Sequence, residues 1–132
     1  MTMNTLKATI VIAAVALGLG ACATVPIYNV TDAPTTSASG KALPASQVRQ
    51  AIITAGGKLG WRIVDVGPGR LEGTLDLRTH SAVVDIPYSA SKYSIQFLRG
   101  VNLKATDGSI HKNYNGWIQN LERDIRIELA RQ

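Results

Sequence analysis

Cysteine is almost missing from this chain: Cys22 is the only one in 132 residues. A single thiol closes no intramolecular disulfide, so the fold must rest on a packed core. Histidine is nearly as scarce, with His80 and His111 alone. A zinc site takes three or four ligands at short, regular spacings, and no H-x-x-x-H or paired-cysteine pattern occurs, so no metal is expected. Gly-x-Ser-x-Gly is absent as well, and with it the nucleophile elbow of serine hydrolases. The charged residues, 14 basic and 9 acidic, are scattered and not gathered into a stripe. No nucleic-acid partner is therefore expected. No residue earns a catalytic assignment from its motif, and the chain is read as a non-enzyme.

Long apolar runs are also lacking, with one exception. Ala8 to Ala21, 14 residues, carries no charge and nothing more polar than Thr9. A membrane-spanning helix needs about 20 such residues, so this run is too short to cross comfortably. Lys7 and the amino terminus before it, the apolar run, and the small residues after it have the layout of an export signal. The run ends in Leu19-Gly20-Ala21-Cys22, followed by Ala23. That string resembles the lipobox of bacterial lipoproteins at every position. The resemblance implies cleavage after Ala21 and acylation of Cys22, with the covalent lipid (palmitate among its acyl chains) in place of any cofactor. One acyl chain binds a membrane only marginally, whereas two or three anchor stably. In Gram-negative lipoproteins an Asp directly after the lipidated Cys tends to hold the protein in the inner membrane. Ala23 stands there instead, which implies an outer-membrane protein facing the periplasm.

Loss of residues 1–21 removes Lys7 and no acid, lowering the net charge of +5 by one. The mature chain stays mildly basic, a balance that suits anionic headgroups or glycan phosphates. Ile27, Tyr28 and Val30 have strand character and could dock at a sheet edge. Thr31 to Pro44, rich in Thr, Ser, Ala, Gly and Pro, reads as a flexible tether. The expected organisation is a signal peptide over 1–21, a lipidated tether over 22–43 and a globular domain over 44–132.

The domain's pattern predicts an α+β fold: helix, four-stranded antiparallel meander, helix, with both helices on one face of the sheet. Val48, Ala51, Ile52 and Ala55 form one helical stripe, which Gly56-Gly57 is expected to stop. Leu71, Gly73, Leu75 and Leu77 face inward on one strand, Ala82, Val84 and Ile86 on the next, and Tyr93, Ile95 and Phe97 on the last. A hairpin closing on Thr79-His80 and another on Ser89 to Lys92 keep these on one side. Trp61 and Ile63 share the parity of Leu71, so the Gly67-Pro68-Gly69 loop must carry an odd count. A further small hairpin is possible around Asp107-Gly108. The final helix is expected to start near Asn113 to Asn115, capped by an Asn, and to bury Tyr114, Trp117, Ile118, Leu121, Ile125 and Leu129.

The most distinctive string in this region is "IHKNYNGWIQNL", Ile110 to Leu121. His111, Asn113, Tyr114, Asn115 and Trp117 form either an aromatic and amide surface for a sugar or peptide, or a capped helix start with two core anchors. The three-residue spacing of Tyr114 and Trp117 favours the anchors. Together with "PGRLEGTL" (Pro68 to Leu75) and "YSIQF" (Tyr93 to Phe97), this string is similar to those of a group of small proteobacterial lipoproteins. The layout of two helices over a sheet is also similar to that of some outer-membrane assembly lipoproteins, including the partner of the lipopolysaccharide translocon. The expected role is a lipid-anchored scaffold for an envelope protein. The alternative is a binder of lipopolysaccharide or peptidoglycan.

Overall fold

The computed structural model describes residues 24–132. The lipobox residues Leu19, Gly20, Ala21 and Cys22 lie outside the described residues. The chain runs β1 (Thr24–Pro26), β2 (Val30–Pro34), α1 (Ala45–Lys58), β3 (Arg62–Gly67), β4 (Arg70–Leu77), β5 (His80–Pro87), β6 (Lys92–Val101), β7 (Ser109–His111) and α2 (Lys112–Ala130). β2 to β6 form one antiparallel sheet in the order β2-β6-β5-β4-β3, and β1 pairs with β7 in a separate ribbon. The fold is α+β, as the sequence pattern predicts, but the sheet has five strands and not four.

The fifth strand comes from the expected tether. Val30 is buried opposite Ile95, and Ala33 pairs with Tyr93. Asp32 takes a left-handed φ of +51°, its N–H donates to Ser94 Oγ at 3.0 Å, and the register shifts around it. Further on, Thr35 Oγ1 donates to the Ala90 carbonyl at 2.5 Å, and Thr35, Ser37 and Leu43 are all buried. The short polar side chains satisfy the backbone of the neighbouring turn instead of water. Composition alone therefore misreads this stretch, and the folded part of the described chain begins at Thr24 and not near residue 44.

The inward parity holds across the meander. Leu71, Leu75, Ala82, Val84, Ile86, Tyr93 and Ile95 join Trp61, the α1 stripe and the α2 stripe in one apolar cluster. Tyr88 pairs with Tyr93, and Val84 with Phe97, the expected register of that hairpin. The preceding hairpin closes one residue earlier than expected. Its turn is Arg78-Thr79, with Leu77 opposite His80 and Leu75 opposite Ala82. Arg78 takes φ +55°, and Asn102 Nδ2 donates to the Thr79 carbonyl at 2.6 Å, which pins the turn. Leu77 is consequently left 42% exposed, and His80 opens β5 instead of sitting in the turn. At the first hairpin the odd count arises differently: Pro68-Gly69 is a two-residue turn, and a bulge between Asp65 and Gly67 restores the parity.

The start of α2 and the stop of α1 differ from expectation, whereas α1 starts beside Pro44. α1 passes through Gly56 and Gly57 and ends at Lys58, with Leu59 as its C-cap and Gly60 at φ +86° just beyond. There Trp61 N–H donates to the Gly56 carbonyl and Gly60 N–H to the Gly57 carbonyl, the paired bonds of a left-handed cap. Pro44 precedes α1 without a side-chain cap bond. The cap of α2 is His111, whose Nδ1 accepts from Asn113 N–H at 3.2 Å. The helices are tied together at their far ends. Lys58 Nζ lies 2.6 Å from Glu128 Oε1, a buried carboxylate that also meets Arg131 at 3.1 Å. Arg49 pairs with Asp65 across α1 and β3, and this hydrogen bond holds the Asp65 carboxyl below its usual range.

Candidate functional site

The string Ile110 to Leu121 divides its residues among three tasks. Tyr114 is fully buried, its ring 5.2 Å from that of Phe97 in an edge-to-face contact. It is a core anchor and leaves no surface for a ligand. Its hydroxyl has no hydrogen-bond partner among the described residues. Burial alone pushes that hydroxyl far above the ordinary phenol range. A buried hydroxyl left unpaired costs about 1–3 kcal/mol. Tyr114→Phe is therefore expected to stabilise the fold by roughly 1–2 kcal/mol, read as a higher urea midpoint at unchanged slope. A lower midpoint would show that the hydroxyl has a partner in solution.

Asn115 performs the second task. Its Oδ1 accepts from Tyr28 N–H, and its Nδ2 donates to the Pro26 carbonyl, both at 2.9 Å. One amide thus clamps a backbone group at the end of β1 and another in the segment that follows it. One α-helical turn pair further along, Glu122 Oε2 accepts from the Tyr28 hydroxyl at 2.6 Å. That bond, more than burial, raises the Tyr28 hydroxyl above its usual range. Asn115 is expected from sequence to cap the helix or face a ligand; its contacts are instead with the chain's own amino-terminal segment.

The third task is a surface one. His111, Asn113 and Trp117 stand beside the β4–β5 turn. His80 meets His111 at 5.6 Å between ring centroids and Trp117 at 6.4 Å, both edge-to-face. Leu77, Arg78, His80, Asn113 and Trp117 line a groove of about 350 Å³. The two histidines, 31 residues apart and read from sequence as unrelated, are neighbours. No local signal could show this: the parity of β4 and β5 places His80 at the sheet's end, but only the docking of α2 brings His111 to it. Leu77, Arg78 and His80 are the residues of this groove that the sequence reading does not assign to a binding surface.

The groove's chemistry is that of recognition. Indole and imidazole offer flat apolar faces, the Asn113 amide both donates and accepts, and Arg78 offers a guanidinium fork for phosphate or carboxylate. Among the described residues no three His, Cys, Asp or Glu side chains gather as a metal-binding group. His80 Nδ1 faces the Thr79 hydroxyl at 3.3 Å, and His111 Nδ1 is occupied by the Asn113 N–H. A smaller hollow, about 140 Å³, lies at the far side among Asp32, Tyr88, Lys92 and Tyr93. Burial there pushes the Tyr93 hydroxyl up to about 12.

No family model, no curated protein and no solved structure matches this chain. The lipoprotein resemblance rests on the lipobox and the strings quoted above. Among the described residues no helix is long and apolar enough to cross a membrane.

Proposed function

We propose that this chain is a lipid-anchored envelope protein, acylated at Cys22 and held on the periplasmic side of an outer membrane. Its folded domain acts without catalysis, as a scaffold that binds another envelope protein. The observation that carries the protein-binding reading is the edge of the sheet at β3. Among the described residues this strand pairs on one side only, with β4, and is the last in the strand order. An outermost strand presents unpaired N–H and C=O groups to which an extended peptide can add. Val64 and Val66 beside it are 45% and 48% exposed, a rail for alternate side chains of such a peptide. The other edge, β2, is blunted by its register shift and by Pro34.

Photo-crosslinking in cells, with the reactive residue placed in the full-length chain at Val64 or Val66, tests this reading. The expected result is a reproducible crosslink to one envelope protein from these sites. Ile127 on α2, 44% exposed, should give none. Equal capture from all three sites, or capture from none, would overturn it.

A second reading has its own observation. The groove between Trp117 and Arg78 suits an anionic headgroup or a sugar, which favours binding of an envelope lipid or polymer such as lipopolysaccharide or peptidoglycan. Such binding should weaken in high salt and after Trp117→Ala.

A further inference from the structure

The end of the domain that carries the groove is also the end from which the chain leaves toward Cys22. Thr24 is the first described residue and pairs with His111. Only Ala23 separates it from Cys22. Two residue steps reach at most about 7 Å, even fully extended. Thr24 does not fray from the domain, because the following residues are held by the ribbon with β7 and by Asn115. If Cys22 carries lipid, the His111 end of the domain must sit within a few ångströms of the acyl chains' attachment point.

The ion pairs single out the same end. Every described lysine and arginine except Lys41, Arg78, Lys104 and Lys112 lies within 4.0 Å of a carboxylate. Three of those four gather here. Lys112 follows His111 directly. Lys104 follows Leu103, whose carbonyl accepts from His111 N–H at 2.7 Å. Arg78 shares the groove with Asn113. All three are exposed. The acid of this loop without a cation, Asp107, sits on the turn before Ser109, which pairs with Pro26 and so lies at the far end of the ribbon from Thr24. Apolar side chains stand among these cations. Leu77 is 42% exposed, Val101 is 58% exposed on the strand paired with Ser81, and Trp117 is half-buried in the groove.

We propose that this end is a membrane-docking face: Arg78, Lys104 and Lys112 bind an anionic lipid surface, with Leu77, Val101 and Trp117 entering its headgroup layer. The proposal rests on the anchor reading above and names the lipid surface as what fills the groove. Unpaired cations lose little by leaving water for phosphate, and gain attraction that falls off within about 10 Å. Indole rings settle at the boundary between headgroups and acyl chains. An acyl anchor two residues away raises the local lipid concentration enough for three weak contacts to act together. The domain would then lie on the bilayer in one orientation, with the β3 edge free for a partner.

The test uses the full chain purified from membranes, in vesicles of phosphatidylethanolamine and phosphatidylglycerol with brominated acyl chains. Bromine quenches indole fluorescence at contact range. Trp61, 4% exposed in the core, serves as the unquenched reference, and Trp117→Phe gives the background. The wild-type chain should be quenched at Trp117. Reversal of the three cations (Arg78→Glu, Lys104→Glu, Lys112→Glu), or high salt, should abolish the quenching while the chain still floats with the vesicles. A lipid-bearing chain that floats but shows the same quenching in wild type and triple variant would overturn the docking face and leave the anchor standing. A chain whose Cys22 peptide carries no lipid by mass, and which leaves the vesicles in high salt, would overturn the anchor and the docking face with it.

Discussion

Gly100→Ala is expected to cost the folded domain about 3 kcal/mol, the upper end of what overpacking usually does. A β-carbon on Gly100 would stand 2.5 Å from Leu103 Cδ1 and 2.8 Å from the Ser81 carbonyl oxygen. The leucine can swing away, but the carbonyl belongs to the strand opposite and cannot. Gly100 is in β6, where the register with β5 has already shifted between Val83 and Val84. That shift turns the strand's end so that the backbone of residue 100 presses against its neighbour. Leu103, nearly fully buried, packs into the space the missing side chain leaves, and its carbonyl then holds His111. The loss of one hydrogen atom's room at Gly100 thus reaches the loop that presents Lys104. Thermal melting should show a drop of roughly 10–20 °C. The double variant with Leu103→Ala should not recover it, because the Ser81 contact remains. Gly116→Ala is the control. Nothing lies within 4 Å of a β-carbon there, and the residue is inside α2. Removing a helical glycine should raise stability by about 0.5–1 kcal/mol. Equal effects at the two positions would refute the steric account.

What could be read from sequence follows a physical divide. Side-chain parity was legible because a strand alternates with a fixed period of two. A one-residue error in the Arg78-Thr79 turn left every core residue on its proper face, since the two strands slip together. The α2 stripe was legible for the same kind of reason, through the i, i+3, i+4 spacing of Ile118, Leu121 and Ile125. Glycine was less legible, because one residue type serves different ends. Gly60 stops α1 with a positive φ, whereas Gly56 is there for closeness: a β-carbon on it would stand 2.7 Å from Ile63 Cγ1. Sequence shows both only as glycine. Val30 was legible as an edge-strand residue and pairs with Ile95, but the rest of β2 was not, because its side-chain hydrogen bonds are polar and distant. Thr35 and Asp32 find Ala90 and Ser94 more than fifty residues on. The groove was half legible. Its aromatic half, His111 to Trp117, stands out as a string, but its other half comes from a turn whose arginine looks like any solvated one. Only the folded structure sets Arg78 apart: among the described residues it lacks the nearby carboxylate that most other cations have.

Asn115→Ala should free the amino-terminal segment. The substitution removes the two 2.9 Å bonds to Tyr28 N–H and the Pro26 carbonyl. At about 0.5–1.5 kcal/mol for each, the expected destabilisation is roughly 1–3 kcal/mol. The loss should fall locally. Ile27 N–H still donates to the Gly108 carbonyl, and the Tyr28 hydroxyl still reaches Glu122. Hydrogen exchange should therefore lose protection first at the Tyr28 amide. Combining Asn115→Ala with Tyr28→Phe removes the Glu122 contact too, and should extend the loss through β1 to Val25. Unchanged exchange at Tyr28 in the single variant would show that Asn115 does not hold this segment. The consequence for position at a membrane is larger than the energy suggests. With the segment clamped, Cys22 stands at most about 7 Å from the folded domain. Once freed as far as Asn29, the same chain reaches about 25 Å, beyond the range over which its cations feel a charged surface. On the proposed anchoring at Cys22, the double variant should still float with the vesicles and lose Trp117 quenching by brominated lipid. Nothing on the docking face itself would have changed, so the loss would assign orientation at the bilayer to the clamp between α2 and β1. Retained quenching would mean that the cations hold the face down without it.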